Sequence, residues 1–210
     1  MKNIKGVFFD FDGVLIDSLP AMRVSWKVVK ESYNITPDFD EFSKYIGIPF
    51  LSILDKLKID KKDFLKIKKK YSEVASKNIS LIKLNPYVIE LLYWLRNKKI
   101  KLAIVTSKDF VRTMELIEFF DIKVDAVVTP EQTLRGKPYP DPLFKAANML
   151  DCNIKESIFI GDMLSDMKAA SRAECLYLHY TNGYQKLTNK NYYGGSIDSL
   201  IEIIEFIRFF

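Results

Sequence analysis

The stretch FFDFDG, residues 8–13, decides how this chain is read. It closes a hydrophobic segment of strand character with two carboxylates, Asp10 and Asp12, two positions apart. On an extended chain residues i and i+2 point to the same side, so if the strand geometry persists both carboxylates reach into one small volume. Two unpaired anions there repel each other, and something must separate or neutralise them.

Outward from that stretch, the segment IKGVFF (4–9) reads as the first of a set of strands. From residue 84 onward apolar runs of strand length alternate with helical patterns. The expected helices are PYVIELLYWLRNK, DFVRTMELIEFF, PDPLFKAANML and MLSDMKAASR, and the strands between and after them are IKLAIVT, VDAVVT, SIFIGD and ECLYLHY. Short β-rich runs separated by helices predict an α/β protein with a parallel sheet covered on both faces. Residues 18 to about 82 instead carry helical periodicity throughout, in SLPAMRVSWKVVKESY, DEFSKYI, PFLSILDKL and KKDFLKIKKKYSEVASKNI. The expected organisation is a core of residues 1–16 with 84–210 and an inserted helical domain of residues 17–83, the two crossings being hinge candidates. GYQKLTNKNYYGGS (183–196) reads as a polar loop, and IDSLIEIIEFIRFF as a C-terminal amphipathic helix packed on the sheet.

Composition narrows the class. The chain has 210 residues, of which 48% are hydrophobic, enough for a sizeable core. No uncharged apolar run approaches the roughly 18 residues of a membrane span, and acidic residues stand where a signal peptide has its apolar centre, so a cytoplasmic protein without a membrane partner is expected. Cys152 and Cys175 lack metal-site or disulfide-framework spacing, and the only histidine, His179, ends a strand-like run. The net charge of +5 owes much to KLKIDKKDFLKIKKKY (56–71). Such a run is ordinarily the solvated face of an amphipathic helix; the functional alternative is a positive potential that attracts an anionic substrate. No aromatic stacking platform or recognition motif accompanies the lysines, so nucleic acid is not an expected partner.

Ligands of open parallel sheets bind outside the carboxyl ends of the strands. Those ends carry Asp10 and Asp12, then Thr106 and Ser107, then Asp162, with Asp166 one helical turn beyond. Lys137 sits in the Gly/Pro segment RGKPYPDP. Oxygen-only, carboxylate-rich ligation without histidine suits a hard cation such as Mg²⁺, which makes the paired aspartates tolerable. One aspartate is then free to act as a nucleophile in phosphoryl transfer, with Thr106, Lys137 and the metal stabilising the phosphoryl oxygens.

With these residues in order, the chain resembles the haloacid dehalogenase (HAD) superfamily, in particular its phosphatases with a helical cap inserted after the first strand. The matching motifs are DFDGV (10–14), the Thr of VTSK (105–108), the Lys of GKPYPD (136–141) and GDMLSD (161–166). The resemblance spans essentially the whole chain and implies a Rossmann-like core with an α-helical cap. It also implies that Asp10 attacks phosphorus and binds Mg²⁺, and that Asp12 is general acid and base with its backbone carbonyl on the metal. Thr106, Ser107 and Lys137 would hold the phosphate, and Asp162 and Asp166 would complete the metal site. A cap loop, YIGIPF (45–50), would face the aspartates, whereas Asp17 and Ser18 are equally suited to a hinge or helix cap.

The expected substrate is a small phosphorylated metabolite such as phosphoglycolate or a sugar phosphate, handled by a monomer or homodimer. A sugar phosphomutase of the same superfamily is the alternative, but it typically carries a cap histidine and a Glu where this chain has Met22 and Gly161. Haloalkanoate dehalogenation, a phosphoacceptor receiver domain and a non-catalytic binder or scaffold fit less well, given the phosphate motifs and the helical insert.

Overall fold

The structure, a computed structural model, describes residues 4–187 and 194–209. Its first strand, β1 (Gly6–Phe9), is buried at every position, as an apolar run in the middle of a parallel sheet must be. A two-residue strand, β2 (Ile16–Asp17), leads into four helices, α1 (Leu19–Tyr33), α2 (Phe39–Ser43), α3 (Phe50–Lys56) and α4 (Phe64–Lys77), after which comes β3 (Lys83–Leu84). Helices and strands then alternate through α5 (Val88–Asn97), β4 (Lys101–Val105), α6 (Phe110–Phe119), β5 (Ala126–Val128), α7 (Asp141–Met149), β6 (Ser157–Gly161), α8 (Leu164–Ala173) and β7 (Leu176–Tyr180). The chain ends with β8 (Gly194–Ile197) and α9 (Glu202–Phe209).

Among the described residues six strands form one sheet in the order β5-β4-β1-β6-β7-β8, with every neighbouring pair parallel. The chain winds outward from β1 through β4 to β5, then returns to the other side of β1 and winds outward again. That reversal falls beside β1, so the carboxyl end of β1 is the crevice where such sheets hold ligands. Strand alternation sends Val7 and Phe9 to one face, under α5 and α9, together with Leu102, Ile104, Ile158 and Ile160. Phe8, Ala103, Val105 and Phe159 go to the other face, under α7 and α8.

The helical insert has an apolar cluster of its own. Trp26 stacks on Phe42 with ring centroids 4.6 Å apart, and Val29, Leu54 and Ile67 are buried with them. Asp38 and Glu41 cap α2 reciprocally, each side chain accepting the other's backbone N–H. Helix α4 turns Ile67, Val74 and Ala75 inward, while Lys61, Lys62, Lys66 and Lys69 lie exposed. Three of these pair with nearby aspartates, so most of the lysine-rich stretch is a solvated face; Lys68 and Lys70 are half-buried, and Lys68 is discussed below.

Two elements depart from the sequence reading. Residues 194–197 form an edge strand parallel to β7 rather than the end of a loop and the start of a helix. Only Ile197 of the four is buried, so no apolar alternation marks the strand. The middle of the expected loop, residues 188–193, lies outside the described residues. The other departure is the antiparallel pairing of β2 with β3, which joins the two crossings into the insert and is too short to leave a pattern. Asn85 reinforces this junction, its side-chain amide donating to the Val14 carbonyl at 2.8 Å. Cys152 and Cys175 are free thiols, Cys175 being buried, and no helix of the described residues is long and apolar enough to cross a membrane.

Phe8 is fully buried on the central strand, and its removal leaves a cavity that helices held by a sheet cannot close. Phe8→Ala is expected to lower the unfolding free energy by about 3–5 kcal/mol, read as a reduced urea midpoint with an unchanged slope.

Candidate active site

The backbone turns sharply after β1, and the turn depends on one glycine. Gly13 has φ +84°, and a Cβ there would lie 2.2 Å from Asp162 Oδ2, so only glycine both adopts the conformation and admits the carboxylate of the neighbouring strand. Asp10 continues the sheet, its N–H donating to the Ile160 carbonyl at 2.8 Å. Its Oδ1 accepts the Phe11 N–H at 2.7 Å and meets Lys137 Nζ at 2.8 Å. Oδ2 has no hydrogen-bond partner among the described residues, and Asp10 lines the cavity between core and insert.

Lys137 is 2% exposed and binds three oxygens: Asp10 Oδ1, Asp166 Oδ1 at 2.7 Å and the Val105 carbonyl at 3.3 Å. Asp166 is not a helix-surface residue, because it is completely buried and its Oδ2 accepts the N–H groups of Asp162 and Met163 at 3.2 and 2.9 Å. Asp162 is likewise buried; Oδ2 accepts the Tyr184 N–H at 2.6 Å, whereas Oδ1 is buried without a hydrogen-bond partner among the described residues. Asp10, Asp162 and Asp166 each offer one oxygen, all within 4.8 Å of one another. These three carboxylates face one ammonium group, Lys137. The excess of two negative charges, the unpartnered Asp162 oxygen and the all-oxygen donor set fit one divalent hard cation such as Mg²⁺.

Burial above all, and then the Asp166 charge, push the Asp10 carboxyl up from 3.8 to about 7 against the pull of Lys137. Asp162 is pushed well up by burial and by the charges of Asp166 and Asp10. Burial draws the Lys137 ammonium down, but the charges and hydrogen bonds of Asp10 and Asp166 outweigh it and hold it above the usual lysine range.

The Asp12 side chain stands apart from this trio. Its Oδ1 accepts the Ser18 hydroxyl, and its Oδ2 meets Lys108 Nζ at 3.1 Å. The Tyr184 hydroxyl accepts the Ser18 N–H at 2.8 Å and lies 3.2 Å from the Ser18 hydroxyl. Tyr184 thereby ties Asp162, through its backbone, to Asp12, through Ser18, and its ring packs against the core of the insert. Neither Tyr184 nor the Lys108 pairing was legible in sequence: a tyrosine in a polar loop has no spacing that marks it, and Lys108 reads equally well as the start of a helix. Asp17 accepts the Leu19 N–H at 3.1 Å, a local turn contact rather than a catalytic one. His179 is structural, its ring nitrogens engaged by Tyr177 and Gln185.

Thr106 and Ser107 line the cavity beside the aspartates. Thr106 is 4% exposed, and its hydroxyl accepts the Lys108 N–H at 3.1 Å. The Ser107 hydroxyl donates to the Gly47 carbonyl at 2.9 Å, so it latches the 45–50 loop over the site rather than standing free for phosphate. Arg112 forms a second latch, donating to the Ala75 carbonyl at 2.9 Å.

Two outcomes follow from this network. Between pH 3.8 and about 7 the folded, metal-free protein holds more proton at Asp10 than the unfolded chain does, so this contribution lowers stability as the pH rises across that window. Cation binding needs the ionised form and strengthens across the same window, so Mg²⁺ should raise the Tm of chelator-treated protein more at about pH 8 than at about pH 5, as thermal unfolding with and without the metal would show. Tyr184→Phe removes a hydrogen-bonding hydroxyl at the junction of insert and core. It is expected to lower stability by about 0.5–1.5 kcal/mol, measured by denaturant unfolding.

Comparison with known proteins agrees with this architecture. The haloacid dehalogenase-like hydrolase family profile matches residues 7–179. A phosphorylated carbohydrates phosphatase of Thermotoga maritima is 30% identical over 178 residues, covering 81% of this chain and 82% of its own. A phosphoglycolate phosphatase of Escherichia coli is 26% identical over 94% of this chain and 86% of its own. Among solved structures, a hydrolase from Pseudomonas syringae superposes with a TM-score of 0.87 at 23% identity, over 97% of each chain. With the family profile spanning both the sheet and the helical insert, the chain belongs to the haloacid dehalogenase-like hydrolases.

Proposed function

We propose that this protein is a Mg²⁺-dependent phosphatase that hydrolyses small phosphomonoesters through an aspartyl-phosphate on Asp10. The observation that carries the reading is the unpartnered Asp10 Oδ2, which belongs to a carboxylate anchored by Lys137 and lining the cavity. The relatives named above act, by their names, on phosphorylated carbohydrates and on phosphoglycolate, both phosphate esters.

Asp10 Oδ2 attacks phosphorus in line with the ester oxygen, and the P–O bond to the leaving group breaks. Asp12, steered by Ser18 and Lys108, gives its proton to the departing alkoxide. It then takes a proton from the water that attacks the phosphorus of the aspartyl-phosphate, which releases inorganic phosphate and restores Asp10. Lys137 offsets negative charge on Asp10 and on the phosphoryl oxygens, and Thr106 holds one of those oxygens. Mg²⁺, held by Asp10, Asp162 and Asp166 and in this proposal by the Asp12 carbonyl, would neutralise the remaining charge and orient the phosphoryl group.

The mutase alternative is disfavoured by two features. Met22 lines the cavity where a gating histidine would be needed. A Cβ at Gly161 would lie 2.4 Å from Asp166 Cβ, so the mutase-type Glu cannot be accommodated without displacing Asp166.

The test is phosphate release from small phosphate esters with Mg²⁺ or with chelator. Asp10→Asn is expected to lower turnover by at least about 10³-fold and Lys137→Met by about 10²-fold, with both proteins still folded by circular dichroism. Full turnover in Asp10→Asn would remove the proposed nucleophile, and no release by the wild type from any ester would point to a binding role.

A further inference from the structure

The cavity over Asp10 has one charged wall and one apolar wall. Its volume is about 80 Å³, room for about five to eight waters, or for a phosphoryl group with a leaving group of a few heavy atoms. The sheet side contributes Asp10, Asp12, Thr106 and Ser107, whereas Met22, Phe42, Ile46, Ile48, Phe50 and Ile53 of the insert form the cavity's apolar lining.

Polar groups that could receive a substrate hydroxyl on that side are few, and several are already occupied. Arg112 lines the cavity, and three of its five N–H donors are engaged, by Glu115 at 2.6 Å, Ser76 at 3.2 Å and the Ala75 carbonyl at 2.9 Å. Lys108 is paired with Asp12, and Ser107 with Gly47. Asp109 at the start of α6 remains, with one oxygen engaged by the Arg112 N–H, and so do Lys68, Tyr71 and Ser72, grouped on α4 at helical spacing. The Tyr71 ring packs on Phe50 with centroids 4.6 Å apart, so apart from its hydroxyl it extends the apolar surface.

From this distribution we infer that the insert selects phosphate esters whose leaving group is compact and mostly hydrocarbon, and discriminates against polyhydroxylated leaving groups. The physical reason is desolvation. Each hydroxyl carried into the cavity loses its waters, and against Phe42, Ile46, Ile48, Phe50 or Ile53 it finds no replacement, whereas a methylene there gains contact. An unpaired hydroxyl lowers binding roughly tenfold. The α4 groups can satisfy one or two hydroxyls on one side of a leaving group, but not a set that points in every direction as in a sugar or polyol.

The inference rests on the phosphatase reading, and the experiment separates the two. Phosphate release would be measured for n-butyl phosphate and erythritol 4-phosphate, matched four-carbon primary esters, with acetyl phosphate as an activated reference that makes little demand on the insert. The expected result is a kcat/KM for the butyl ester at least about tenfold above that for the erythritol ester. Ile48→Asn, a change at a half-buried loop position that gives the wall an amide, should narrow that ratio. A merely structural effect of the substitution would lower both values together. Equal or reversed preference in the wild type, with acetyl phosphate cleaved, would overturn the selectivity and leave the phosphatase reading intact. No release from any of the three would overturn both.

Discussion

One buried ammonium organises this molecule. Lys137, 2% exposed, lies between Asp10 Oδ1 and Asp166 Oδ1 at 2.8 and 2.7 Å. Burying a charge is costly without partners, and burying several carboxylates beside one another is worse. Lys137 makes two of them compatible, and it joins the loop before α7 to the first turn of α8 and the end of β1. The third, Asp162, is held by the Tyr184 N–H and keeps an oxygen free. The remaining negative charge is what a divalent cation would neutralise, so the arrangement that strains the metal-free protein is one that such a cation would relieve.

The same economy of contacts governs the insert. Its helices have their own apolar cluster, centred on Trp26 and Phe42 and joined from the core by Met163 and the Tyr184 ring, and they also meet the core through polar contacts: Ser107 to Gly47, Arg112 to Ala75, and Tyr184 to Ser18. Polar contacts of this kind contribute about 0.5–1.5 kcal/mol each, which suits a cover that must open to admit substrate and release product. Because Ser18 also bonds Asp12, the position of the first helix of the insert is coupled directly to the residue proposed to handle the proton.

Much of the sheet was legible because buried parallel strands are short apolar runs between helical patterns. Residues 6–9, 101–105, 157–161 and 176–180 all announce themselves in this way. The edge strand at 194–197 did not, since a strand with one buried residue needs little hydrophobic sequence. The β2–β3 ribbon rests on backbone pairing of two residues a side, and backbone pairing leaves no mark on side-chain pattern.

By itself the sequence determined which groups are available for chemistry: carboxylates at strand ends, a lysine in a Gly/Pro loop and a threonine after β4. Local spacing and residue type suffice for that, because strand periodicity and turn sterics act over a few residues. Only the tertiary structure decided how those groups are shared. It sets Asp12 with Ser18 and Lys108 and apart from the trio of Asp10, Asp162 and Asp166. It also commits the Ser107 hydroxyl to the covering loop, recruits Tyr184, and builds an apolar wall opposite the charged one. These choices depend on contacts between residues as far apart as Ser18 and Tyr184, and such contacts exist only once the sheet and the insert have packed.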